Sequence, residues 1–114
     1  NVATLLQGQK LTVDVTTFNC TNRAGLTARR LETAFAQKAS SSSSFKKLGD
    51  SAGLSGQMEV AVQFKSGKST GLTFRSGKPD GKTAPRVATE VRNILDSLVP
   101  SGLQGRVVME LTIR

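Results

Sequence analysis

Residues Gln57 to Arg75 read QMEVAVQFKSGKSTGLTFR, and the way this stretch doubles back decides the fold. Met58, Val60, Val62 and Phe64 fall on one side; Glu59, Ala61 and Gln63 fall on the other. That is the period-two pattern of a half-buried strand. Lys65-Ser66-Gly67-Lys68-Ser69 has the small, polar composition of a hairpin connection. Thr70 to Arg75 then returns as a short strand with Leu72 and Phe74 inward. The stretch predicts an antiparallel hairpin.

Downstream, the loop SGKPDGK (Ser76 to Lys82) leads into the strongest helical signal in the chain, from about Ala84 to Val99. Thr83 is the expected cap, and Pro85 is harmless in a first turn. Val87, Val91, Ile94, Leu95 and Leu98 form one stripe at helical spacing. Arg86 with Glu90, and Arg92 with Asp96, are spaced as solvent-side ion pairs. Pro100 and Gly102 stop the helix. Arg106 to Arg114, RVVMELTIR, reads as a last strand with Val107, Met109, Leu111 and Ile113 inward.

Upstream, Lys10 to Phe18, KLTVDVTTF, is another alternating strand. Leu11, Val13, Val15 and Thr17 are expected inward, and Phe18 outward. Asn19 to Gly25 is turn chemistry. Thr27 is the expected cap of a helix reaching about Ala39, with Leu31, Ala34 and Phe35 on its apolar stripe. Residues 40–56 are expected to be a Ser/Gly-rich loop, pinned by Phe45 and Leu48. Residues 1–9 are expected to be an extended lead-in or short strand.

The order β-α-β-β-α-β predicts a single α+β domain over residues 1–114. The expected arrangement is ferredoxin-like, with two helices packed on one face of a four-stranded antiparallel sheet. The first and last strands should pair and bring Asp14 beside Glu110, with Lys10, Arg106 and Arg114 near enough for cross-strand ion pairing.

Lys and Arg number 16 against 8 acids, a formal charge of +8 with no His. Such a charge is nearly constant between pH 5 and 8 and attracts polyanions. No apolar run approaches the length of a membrane span. Cys20 is the sole cysteine, so an internal disulfide and a cysteine-based zinc site are both excluded. Without His, Cys20 lacks the usual activating base, and no Ser-His pair can form. Nothing singles out a Ser-Lys pair, so the chain is read as non-enzymatic, with no cofactor and no metal. Gly67-Lys68-Ser69 ends like a phosphate-binding P-loop, but Val62 occupies the first glycine position and a strand follows where a helix is required.

The densest cationic stretch joins Lys65, Lys68, Arg75, Lys78, Lys82 and Arg86, interrupted by one acid, Asp80. Gly and Ser around these residues let a ligand approach the backbone. This is the chemistry of anion and phosphate contact, with Arg29, Arg30, Lys46 and Lys47 as further contacts. The predicted role is a binding module for a polyanion, nucleic acid first, through its phosphate backbone. RNA recognition motifs share the element order, but TGLTFR lacks their outward base-stacking aromatics.

The second half, from MEVAVQF through the Pro85 helix to VVMELTIR, resembles the C-terminal periplasmic domains of TonB and TolA. Those run strand, strand, helix, strand, with a comparable loop before the helix. The resemblance implies the alternative role, an envelope adaptor binding a protein partner by docking on its sheet. A cytoplasmic setting goes with the first role and a periplasmic one with the second.

Overall fold

The hairpin forms as the alternation predicts. In the computed structural model, which describes residues 1–49 and 54–114, β3 (Gly56–Lys65) and β4 (Lys68–Ser76) pair antiparallel. Ser66 and Gly67 join them at φ 51° and 76°, the left-handed geometry that the tightest hairpin turns require. A Cβ on Gly67 would come within 2.6 Å of the Ser101 backbone, so glycine also lets the turn dock on the last loop.

The remaining elements are β1 (Val2–Leu6), β2 (Gln9–Thr21), α1 (Ala28–Ser41), α2 (Ser43–Gly49), α3 (Thr83–Leu98) and β5 (Gln104–Ile113), numbered in chain order. The α+β class holds, but the ferredoxin-like arrangement does not. Among the described residues, the sheet has five antiparallel strands in the order β1-β2-β5-β3-β4, and there are three helices. A ferredoxin-like sheet would set β2 beside β4. Here β5 lies between β2 and β3, and β4 is an edge. The physical reason lies in β5 itself. Val107, Met109, Leu111 and Ile113 are buried under the helices, while Val108, on the opposite face, is only 1% exposed. Thr17 and Ala61 of the neighbouring strands flank Val108. An apolar residue on a face without helices is shielded best between two strands, which puts β5 in the middle. The lead-in segment is the fifth strand, registering Val2 on Val13.

The predicted 40–56 loop is also corrected. Ser40 and Ser41 finish α1, their hydroxyls donating to the carbonyls of Gln37 and Lys38. Ser42 interrupts the helix and its Oγ accepts the Phe45 N–H at 3.1 Å, capping α2. Phe45 packs edge-on against Phe35, their ring centroids 6.0 Å apart. Within the predicted loop, residues 50–53 lie outside the described residues.

Three further local expectations change. An irregularity at Thr16 steps the register from Val15↔Met109 to Thr17↔Val108. The extra residue turns Thr17 outward and carries Phe18 and Cys20 to the core side. Thr27 does cap α1, accepting the Arg30 N–H at 3.2 Å, but α3 begins at Thr83 itself, and Lys82 before it offers no side-chain cap. Arg92 and Asp96 do not form a simple surface pair. Both reach β4 and hold Ser69.

All three helices share one face of the sheet, over a core that includes Leu31, Phe35, Phe45, Val91, Leu95 and Met109. Among the described residues, no helix lies on the other face.

Candidate functional site

The cationic residues of the hairpin and the following loop are placed by β4. Lys65 and Lys68 are direct cross-strand neighbours beside the turn. Lys78, Lys82 and Arg86 surround the start of α3, past the other end of the strand. Eight residue steps separate Lys68 from Ser76, about 26 Å of strand. The structure therefore splits the sequence cluster into two groups along one edge. Lys65, Lys68, Lys78, Lys82 and Arg86 are all solvent-exposed. Arg75 is exposed as well, and its Nε lies 3.3 Å from a Glu59 carboxylate oxygen.

Three of the acids have partners away from these lysines. Glu32 is buried, and its carboxylate accepts the Val15 N–H at 2.7 Å. Asp96 accepts the Ser69 N–H at 2.7 Å and its hydroxyl at 2.9 Å. With Glu59 held by Arg75, these three acids are turned to internal partners. Asp14, Glu110 and Glu59 do meet on adjacent strands of the open face, as the predicted pairing of first and last strands requires. Among the described residues, neither Asp14 nor Glu110 forms the expected ion pair with Lys10, Arg106 or Arg114.

The open face carries small and polar groups: Thr12, Thr17, Asn19, Thr112 and Gln63, with Arg106 between Asn19 and Gln63. Phe18, the one aromatic expected there, has been turned inward by the Thr16 step and lies under Arg23, whose guanidinium carbon is 5.1 Å from the ring centre. That face offers no platform for stacking bases.

Other contributors to the site were hidden in the sequence. Lys47 of α2 and Arg86 of α3 line one groove, with Ser44, Thr89 and Glu90 between them. This gathers part of the serine run around cations. Between β4 and α3 runs a second, apolar groove floored by Leu72, Phe74, Ala84, Pro85 and Ala88, with Lys78 at its end. The inward alternation of Leu72 and Phe74 is visible in the sequence. Their being left half-buried, with no helix fully over them, is not.

Cys20 is buried, its thiol 3.6 Å from the Arg106 carbonyl oxygen. Burial raises its pKa, against smaller opposing effects from that contact and from the Arg23 charge. It is a core thiol by geometry, not a poised nucleophile. Among the described residues, no group of three or more metal-binding side chains gathers. No helix there is long and apolar enough to cross a membrane.

No protein family, curated protein or solved structure matches the chain. The segment β3, β4, α3, β5 does follow the strand, strand, helix, strand order of TonB and TolA domains, and that likeness remains one of pattern.

Proposed function

We propose that this chain is a non-enzymatic binding module for an extended polyanion, nucleic acid first, held through its phosphate backbone. The observation behind the proposal is the two-ended placement of exposed cations along β4, with Asp80 the one acid between Lys78 and Lys82. A ligand charged at one point meets only one group. A linear polyanion lying along the edge meets Lys65 and Lys68 at one end and Lys78, Lys82 and Arg86 at the other.

Each neutralised phosphate releases a counterion, so affinity must fall with salt. Five engaged cations give a slope of about −4.5 in log affinity against log salt on duplex DNA. Fluorescence anisotropy with a labelled duplex and a labelled single strand, between about 50 and 500 mM salt, reads it. Affinity unchanged across that range would refute the proposal. A protein partner docked on the sheet edge is the second reading, and the free outer edge of β4 favours it.

A further inference from the structure

We propose that the groove between β4 and α3 binds an extended polypeptide segment as a sixth strand, with apolar side chains in the groove and acidic residues at the end that meets Lys78. The inference rests on the second reading above and names its site and ligand.

Three observations meet there. First, β4 is an edge strand, and an edge strand directs every second peptide N–H and C=O away from its neighbour. At Ser69 these groups are already satisfied: Asp96 accepts the N–H at 2.7 Å and Arg92 donates to the carbonyl at 2.9 Å. Beyond it, among the described residues, nothing pairs with the outer edge from Gly71 to Phe74. No proline or charge blunts that stretch, the usual protection of an exposed edge. Second, the groove alongside is apolar, floored by Leu72, Phe74, Ala84 and Ala88. Third, the exposed Lys78 lines one end of the groove, before α3.

These features select the occupant. A phosphate backbone accepts hydrogen bonds but donates none, so it leaves the outward carbonyls of β4 unmatched. Another peptide backbone supplies donors and acceptors alternately at the strand's own rise of about 3.3 Å. Side chains on one face of the added strand then point into the groove, and apolar ones fit its floor. Lys78 at one end complements an acidic flank.

The test uses the whole chain, isotopically labelled for NMR, and a soluble peptide of alternating Val and Thr with paired glutamates at one end. Expected are shifts and slowed hydrogen exchange at the amides of residues 71–74. Ala88→Trp, which fills the groove from a half-buried helical position, should weaken binding at least tenfold. Asn93→Trp, on an exposed position of the same helix away from the groove, should leave it unchanged. Replacing the glutamates with lysines should also weaken binding, and an oligonucleotide should not reproduce the amide protection. Shifts confined to β1 would overturn this site while leaving edge docking intact. Shifts at neither edge would overturn both. Equal losses from Ala88→Trp and Asn93→Trp, β4 protection by the oligonucleotide alone, or β4 protection by self-association without peptide would each overturn the proposal.

Discussion

At the scale of single residues, a buried carboxylate decides how two strands end. The β1–β2 ladder stops at Val2↔Val13, so the edge N–H of Val15 has no strand to pair with. Glu32, one turn into α1, reaches it at 2.7 Å while only 5% exposed. Removing the acceptor from such a donor costs about 1–3 kcal/mol. Glu32→Ala should therefore lower stability by about 2 kcal/mol in urea unfolding, and Glu32→Gln, which keeps an acceptor oxygen, should restore part of the loss. Cys20 gives a prediction with a definite sign. Burial raises its pKa in the folded chain, so the native thiol keeps its proton where the unfolded one has lost it. The unfolded state then binds fewer protons, and stability falls as pH rises above the ordinary thiol pKa of about 8.5. Below that value the contribution is fully present. Cys20→Ala should flatten this alkaline decline in urea midpoints taken between pH 7 and 10. Alkylation of the native thiol should also be slow until denaturant is added.

At the scale of elements, two small devices fix what pattern reading could not. The alternation of β2 is legible from Lys10 to Val15, and the inserted Thr16 then reverses it. A period-two rule applied straight through puts Phe18 on the wrong face, because nothing local distinguishes a bulged threonine from a regular one. The serines read as loop because serine competes with helix hydrogen bonding. Here their hydroxyls satisfy the last carbonyls of α1 and the first turn of α2, so the same chemistry extends helical structure across the run. Ser69 is the second device. Asp96 and Arg92 grip its backbone and hydroxyl together, tying the start of β4 to α3. Spacing shows that Arg92 and Asp96 share a helix face, but not that their common partner is on a strand. Asp96→Ala should lower stability by about 1–3 kcal/mol and speed hydrogen exchange at the Ser69 amide. Arg92→Lys, which loses the planar fork, should lie between it and the parent. If Asp96→Ala unfolds at the parent's midpoint, the clamp has no energetic weight.

At the scale of the molecule, strand order and charge placement come from the same fact. Strand identities were readable from local alternation, whereas their order depends on which strand is buried on both faces. The apolar density of Val107-Val108-Met109 was the available signal, and Val108 was its least expected member. Because β4 became an edge, the cations adjacent in sequence were drawn out along its length, about 26 Å between groups. The separation makes ligand length a variable. A DNA stem of about 4 base pairs covers ~14 Å and reaches one group; a stem of about 10 covers ~34 Å and reaches both. Reversing Lys65 and Lys68 to Glu, or Lys78 and Lys82 to Glu, should each weaken the long stem severalfold or more and shrink its salt slope by about 2. The short stem can move to the intact end, so either reversal alone should change its affinity about twofold at most, while reversing all four should abolish it. Anisotropy titrations of both hairpins against the three variants decide the matter. Equal sensitivity of short and long stems to one reversal would mean that a single end holds the ligand, and β4 would then be no axis for a polyanion.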